Sequence, residues 1–197
     1  MIRFCDILFS LLGIIVLFPF LVIIYIFIIA ESRGGGFYVQ DRVGKDGLDF
    51  RLLKFRSMHV GSDKKGKITV GERDPRLTRM GVFMRRLKLD ELPQLINVLL
   101  GDMSLVGPRP ELRTFVDMYS PEQKKILSVR PGITDYASIE YLDENYILGS
   151  AEDPEEVYIK KIMPEKIQLN MKYIQRRNMK EYIYIIFLTL WHIIKKI

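Results

Sequence analysis

Between Ile7 and Ala30 the chain carries 24 consecutive residues without a formal charge. A helix of about 20 apolar residues crosses a hydrocarbon core of about 30 Å, so this run is long enough to enter a bilayer. A cleaved signal peptide fits poorly, because the run is too long and no small-x-small site precedes Glu31. A soluble core helix that is apolar on every side would be unusual at this length. A membrane element is therefore expected over residues 1–33, followed by a soluble domain over 34–197. Pro19 lies near the middle of the run. It removes one helical hydrogen bond and crowds the preceding turn, which predicts a kink. A kinked segment either spans the bilayer or turns back and leaves by the same leaflet, and the sequence physics leaves both open. Arg33, Arg42 and Lys45 after the run place the following domain in the cytoplasm. Arg3 also resists translocation, with Asp6 working against it.

The remainder is ordinary in size for one domain. Its character is set by charge. Residues 33–88 hold 15 Lys and Arg against six Asp and Glu, residues 89–158 hold five against 14, and residues 159–197 hold nine against two. Two basic blocks thus flank an acidic one. A basic block faces anionic lipid, nucleic acid or a phosphorylated ligand, or is simply a solvated surface. With 48% apolar and 11% aromatic residues, disorder is excluded, and the single Cys5 excludes an internal disulfide framework. One long apolar block is too few for a polytopic transporter. A second apolar stretch, Tyr182 to Ile194, is short for a span. Its Trp191 and the following Lys195-Lys196 suit a helix lying in the headgroups, and a core helix of the domain fits equally well.

Gly34-Gly35-Gly36 reads as a flexible hinge. Phe37 to Arg42, a turn at Gly44-Lys45-Asp46-Gly47, and Asp49 to Ser57 read as a β-hairpin. Period-two alternation puts Phe50, Leu52, Lys54 and Arg56 on one face, so Lys54 and Arg56 point together, toward a phosphate or as an exposed polar strand end. Residues 61–75 read as a surface loop and Arg76 to Lys88 as a basic helix. Leu92, Leu95, Ile96 and Leu99 recur at helical spacing, with Pro93 in a first turn and Gly101 just past the end. Asp90 then falls near the N-cap. Further on come a rigid turn at Gly107-Pro108-Arg109-Pro110, a helix around Pro121 to Val129, a turn at Arg130-Pro131-Gly132, a polar acidic region to Glu156, and basic amphipathic helices. The expected class is α+β, membrane-associated and mostly helical.

The adjacent carboxylates Asp90 and Glu91 are the candidate chemical centre. Simple capping explains Asp90 locally. The alternative explains more of its neighbourhood. A helix N-terminus and the nearby arginines would favour an ionised Asp90 and a phosphate beside it. An ionised carboxylate can attack phosphorus to form an acyl phosphate, with arginines and Mg²⁺ neutralising the phosphate. Glu91 is a hard oxygen ligand suited to Mg²⁺. Arg109, held between two prolines, suits bidentate phosphate contact or is a surface arginine in a turn. His59 and His192 lack metal-ligand spacing. There is no P-loop, no dinucleotide fingerprint and no aromatic-basic module for nucleic acid.

Taken together, Gln40-Asp41-Arg42-Val43-Gly44, Lys54-Phe55-Arg56-Ser57-Met58, Thr78 to Arg86, Leu89 to Leu95, Asn97-Val98-Leu99, Gly101 to Glu111 and Arg130 to Thr134 resemble the monotopic phosphoglycosyl transferases, the bacterial sugar transferase family. The chain is similar to the minimal members. The resemblance implies transfer of sugar-1-phosphate from a UDP-sugar to polyprenol (undecaprenyl) phosphate with release of UMP. It further implies Asp90 as nucleophile, Glu91 as Mg²⁺ holder, Arg109 as phosphate ligand, and Lys54, Arg56 and Arg85 around the same site. It implies a re-entrant helix broken at Pro19, seated in the bacterial inner membrane with the catalytic domain on the cytoplasmic face. Membrane lipids are then partners, nucleic acid is not, and homo-oligomerisation is left open. Two positions depart from the family pattern. Phe18 precedes Pro19 where Ser or Pro is common, and Asp135 follows Pro-Gly-Ile-Thr where a small residue is common. Two other readings make different products. A membrane-tethered basic binding protein releases no UMP, and a metal-dependent glycosyltransferase or phosphodiesterase forms no covalent adduct.

Overall fold

A computed structural model describes residues 1–62, 74–142 and 144–196. The loop expected over 61–75 lies mostly outside the described residues.

Helix α1 (Ile2–Glu31) is a single helix of 30 residues with Pro19 inside it. Its mean hydropathy reaches 3.1 over an 18-residue window of which only 11% is buried. The buried positions are Asp6 and Ser10 near one end and Ile24 and Ile28 near the other. None of residues 15–20 is buried. The helix is therefore held to the domain at both ends and bare in the middle.

The expected hairpin forms. Strands β1 (Phe37–Val43) and β2 (Asp49–Phe55) pair antiparallel, with Phe37 opposite Phe55 and Val43 opposite Asp49. The connection is a 3-10 turn at Lys45–Gly47 in which Asp46 and Gly47 take positive φ, 57° and 77°, the conformation that makes Asp-Gly a turn signal. The three glycines before β1 do not form the loose hinge that was expected. Arg56 donates to the carbonyls of Ser32, Gly34 and Gly35 and to the Ser32 hydroxyl, and its own N–H bonds Gly36.

Helix α2 (Arg79–Arg86) begins later than expected, because Thr78 caps it by accepting from Gly81 N–H. Next come a 3-10 turn at Leu89–Glu91 and helix α3 (Gln94–Leu100). Gly101 ends α3 with φ of 105°, as its position past the apolar repeat predicts. The buried face of α3 is Gln94, Asn97 and Val98. Its leucine stripe turns toward α1 instead, where a Cβ on Gly13 would lie 3.3 Å from Leu95. The pattern was correct for a helix, but its apolar side meets the membrane element.

Strand β3 (Ser104–Val106) pairs parallel with β4 (Gly132–Thr134). The two chains approach closely beside them: a Cβ on Gly132 would lie 2.1 Å from the Gly107 nitrogen. Helices α4 (Arg113–Val116), α5 (Tyr136–Glu140), α6 (Glu144–Gly149), α7 (Pro154–Val157), α8 (Met163–Gln175) and α9 (Met179–Lys196) complete the fold. The segment expected as a helix around Pro121 to Val129 is a 3-10 stretch, Gln123–Ser128.

The largest apolar cluster gathers Phe115, Val116, Ile126, Tyr158, Ile162 and Ile167. A second joins Ile24 and Ile28 of α1 to Phe55 and Met84. Each such fully buried side chain contributes about 1.5–3 kcal/mol. In a third, Tyr173 of α8 and Tyr182 and Ile185 of α9 pack on Val106. Helix α9 meets the core expectation for the C-terminal stretch and leaves an apolar face uncovered. One side is core, and the other exposes Tyr184, Phe187, Leu190, Trp191 and Ile194.

Candidate active site

Asp90 and Glu91 sit in the 3-10 turn between α2 and α3, both buried. Lys88 enters this turn in the left-handed region, φ 57°, an unusual conformation for a residue with a Cβ. The N-cap position of α3 is Pro93, and neither carboxylate makes a capping hydrogen bond. The capping expectation for Asp90 is thereby corrected: proline fixes the helix start three residues later.

Glu91 is tied down. The Arg109 guanidinium donates through both terminal nitrogens to its two carboxylate oxygens, and Lys54 Nζ donates to Oε1 at 3.3 Å. Burial pushes this carboxyl up, but Arg109 and Lys54 outweigh it and hold Glu91 well below the usual carboxylate range. Asp90 is different. Among the described residues no donor reaches its carboxylate. Burial and the neighbouring Glu91 charge raise it above its ordinary value, with Lys54, Arg85 and Lys88 opposing. Asp90 lies ahead of the N-cap of α3, so burial, Glu91 and these cations set its environment in place of the expected helix terminus. Lys54 is itself brought down to about 8, by burial first and then by Arg109 and Arg42, against the pull of Glu91 and Asp90.

The strand alternation correctly places Phe50, Leu52 and Lys54 together. Leu52 is buried with Val98 and Met103, Phe50 packs against them, and Lys54 continues that line to Glu91. Arg56 breaks from it. The strand ends at Phe55, and the buried guanidinium of Arg56 is spent on the exit of α1, so Arg56 does not join the site. Arg85, on α2, donates to Ser57 Oγ at 3.0 Å and lies close enough to Asp90 to feel its charge. Pro19 lies in the uncovered middle of α1, away from these groups.

Four residues with no part in the site assigned from the sequence shape it. Asn97 accepts from Leu53 N–H (3.0 Å) and donates to the Arg51 carbonyl (2.8 Å), locking β2 to α3. Asp135 accepts the Arg109 N–H at 3.0 Å and caps α5 through Ser138 N–H. Arg42 donates to the Pro110 carbonyl and to Glu111, which also accepts from the Tyr158 hydroxyl. The Pro-Arg-Pro turn is thus pinned from both sides. Asn97 was legible as a polar residue inside an apolar helical repeat, and Asp135 as a departure from pattern. Arg42 and Glu111 carried no signal of their pairing, 69 positions apart.

Lys54, Arg85, Lys88, Arg109 and Arg42 surround two carboxylates, so the arrangement can receive an anion of more than one charge. No group of three or more His, Cys, Asp and Glu poised for a metal occurs among the described residues. The donors present do fit a hard cation that keeps most of its shell on phosphate and water. Among the described residues the Asp90 carboxylate accepts from no donor, and Glu91 Oε2, with one donor, retains a lone pair.

The description of the family Bacterial sugar transferase matches residues 1–196. The chain is 42% identical over 161 residues, 80% of its length, to a UDP-N-acetylgalactosamine-undecaprenyl-phosphate N-acetylgalactosaminephosphotransferase from Aeromonas hydrophila. It is 35% identical over 193 residues, 94% of its length, to a UDP-glucose:undecaprenyl-phosphate glucose-1-phosphate transferase from Escherichia coli. A protein of the same description from Caulobacter vibrioides is 38% identical over 160 residues, 80% of this chain. The matches cover 36%, 38% and 56% of these three relatives. A match from the first residues of α1 nearly to the last of α9 shows that the chain belongs to the bacterial sugar transferase family.

Proposed function

We propose that the chain transfers a sugar-1-phosphate from a UDP-sugar to undecaprenyl phosphate, releasing UMP, with Asp90 as a covalent nucleophile. The carrying observation is the asymmetry of the carboxylate pair. Glu91 is held by Arg109 and Lys54, while no donor among the described residues reaches Asp90, its neighbour in a ring of cations. The activities named for the three relatives support the same reaction.

In the first half-reaction an Asp90 oxygen attacks the phosphorus that bears the sugar. The bond from that phosphorus to the bridging oxygen breaks, and UMP leaves with the electron pair. In the second, an oxygen of undecaprenyl phosphate attacks the same phosphorus and the Asp90 carboxylate leaves. Lys54, Arg85 and Lys88 favour the ionised carboxylate and meet the phosphate charge. Arg109 orients Glu91 and keeps three N–H donors for phosphate. Mg²⁺, held by Glu91 and the substrate's own oxygens, would supply charge neutralisation at the diphosphate.

The two ends of α1 support re-entry. Arg3 near one end reaches the last carbonyls of α3, and Glu31 at the other reaches the first turn of α2, while none of residues 15–20 between them is buried. A bend at Pro19 would put that bare middle of α1 in lipid, with both ends on the domain's side. Arg33, Arg42 and Lys45 make that side cytoplasmic. The exposed aromatic face of α9 suits the headgroup plane.

The test is UMP release from a panel of UDP-sugars by the chain in detergent or nanodiscs. Without acceptor, release stops at one equivalent per chain, and the intact mass rises by one phosphosugar. UDP release, or full activity in Asp90→Asn, overturns the reading.

A further inference from the structure

The carboxylate turn hangs between α2 and α3, and the membrane helix holds the outer end of each. At the start of α2, Arg79 and Met80 donate their N–H groups to the two oxygens of Glu31, at 2.7 and 2.9 Å. Gly81 is taken by Thr78. These are first-turn donors that the helix itself leaves without partners, and a carboxylate there also meets the positive end of the helix. At the far end of α3, the carbonyls of Val98 and Leu99 accept from Arg3, at 2.6 and 2.9 Å, a cation at the negative end. Between these grips, Ile24 and Ile28 pack with Met84 and Leu89, and Gly13 lies against Leu95. The left-handed Lys88 sits in the middle of what is gripped, a conformation that persists only where its surroundings enforce it.

We propose that Arg3 and Glu31, at opposite ends of the membrane helix, are positioning residues for Asp90 and Glu91. The seating of α1 sets how α2 and α3 are held relative to each other. That spacing sets the aim of both carboxylates toward Lys54, Arg85 and the incoming phosphate. The inference rests on the transfer proposed at Asp90 and adds that the bilayer element is part of the catalytic scaffold as well as an anchor.

The experiment uses the full chain in dioleoylphosphatidylcholine nanodiscs with UDP-N-acetylgalactosamine or UDP-glucose and undecaprenyl phosphate. Arg3→Ala and Glu31→Ala each lower kcat at least tenfold while KM for the UDP-sugar stays within twofold. Amide exchange over residues 88–92 quickens at least tenfold, and exchange in α8 is unchanged. Arg3→Lys and Glu31→Gln, which keep one of the two hydrogen bonds, give intermediate values of both. Unchanged kcat and exchange in the two alanine variants overturn the proposal, as does a loss confined to KM. Exchange that quickens equally in α8 also overturns it, since that marks general loosening. If the unmodified chain releases no UMP from any UDP-sugar of the panel, the transfer reading fails, and the exchange measurements still decide whether α1 braces the turn.

Discussion

Replacing Asn97 by alanine tests how the site is assembled. The carboxamide of Asn97 lies along the edge of β2 that β1 does not cover. It presents an acceptor to Leu53 N–H and a donor to the Arg51 carbonyl, as a third strand would. It also donates to Asp102 at 3.3 Å. Asn97 is 3% exposed, so water does not replace it freely. Alanine orphans one N–H and one C=O of the strand that carries Lys54. Each orphaned buried group costs about 1–3 kcal/mol. Some water reaches the loosened edge, which brings the sum to about 2–4 kcal/mol. For a chain of this size that is a fall in Tm of about 5–15 °C. Asn97→Asp keeps the acceptor, loses the donor and sets a second charge against Asp102, so it falls at least as far. The assay is thermal unfolding of the solubilised chain, followed by Trp191 fluorescence, alongside UMP release below the transition. Lys54 drifts from Glu91 when β2 loosens, so UMP release falls too. A Tm drop under about 2 °C, or an Asn97→Leu variant as stable as the parent, would refute the strand-mimic argument.

Arg109→Lys removes the fork on Glu91 and leaves a point charge; UMP release falls at least tenfold with the circular dichroism spectrum unchanged, and a loss under twofold counts against the assignment. Asp135→Ala strips the cap of α5 and the acceptor of Arg109 N–H, a cost of about 1–2 kcal/mol read as a lower Tm together with slower UMP release. Asp135→Asn, which keeps one acceptor, loses about half as much. Arg56→Lys leaves carbonyls of the α1 exit without donors at a cost of about 1–3 kcal/mol; proteolytic nicking between Ser32 and Phe37 then speeds up, and a cutting rate equal to the parent's contradicts the role given to Arg56. Chelation by EDTA stops UMP release and added Mg²⁺ restores it, whereas undiminished release in EDTA removes the metal from the scheme.

The parts of the molecule legible in its sequence are those written locally. The Asp-Gly turn, the alternation through Phe50, Leu52 and Lys54, the Gly101 helix stop and the uncharged run of α1 each depend on residues a few positions apart. Two local errors have local causes. Asp90 was placed at a cap because Asp favours caps, but Pro93 holds the cap position of α3. Arg56 was aligned with Lys54 because period two was carried one residue past the end of the strand. The unread contacts are distant: Asn97 to Leu53, Arg109 to Asp135, Arg42 to Glu111. Their side chains are ordinary until the fold brings them together.

Helix α1 carries a second pattern beneath its hydropathy. Arg3, Asp6, Ser10 and Gly13 fall at helical spacing, and each meets the domain. Asp6 accepts from Ser104 Oγ, Leu105 N–H and the Tyr182 hydroxyl at 2.8–2.9 Å. Ser10 bonds back to the Asp6 carbonyl. On the other faces, Phe4, Leu8, Leu11, Leu12 and Ile15 are exposed. Through Gly13 the helix is therefore amphipathic in the reverse of the usual sense, polar toward protein and apolar toward solvent, as expected where that solvent is lipid. Averaged hydropathy detects the membrane element and erases this stripe, because a few polar residues barely move the mean. The stripe nonetheless decides which way the helix faces. A carboxylate in an apolar helix is costly unless paired, and Asp6 finds its donors on β3 and α9, two elements the hydropathy profile treats as unrelated. The same polar residues that weaken α1 as a membrane segment fix it to the domain. The apolar helix and the rest of the domain therefore share one packed interface.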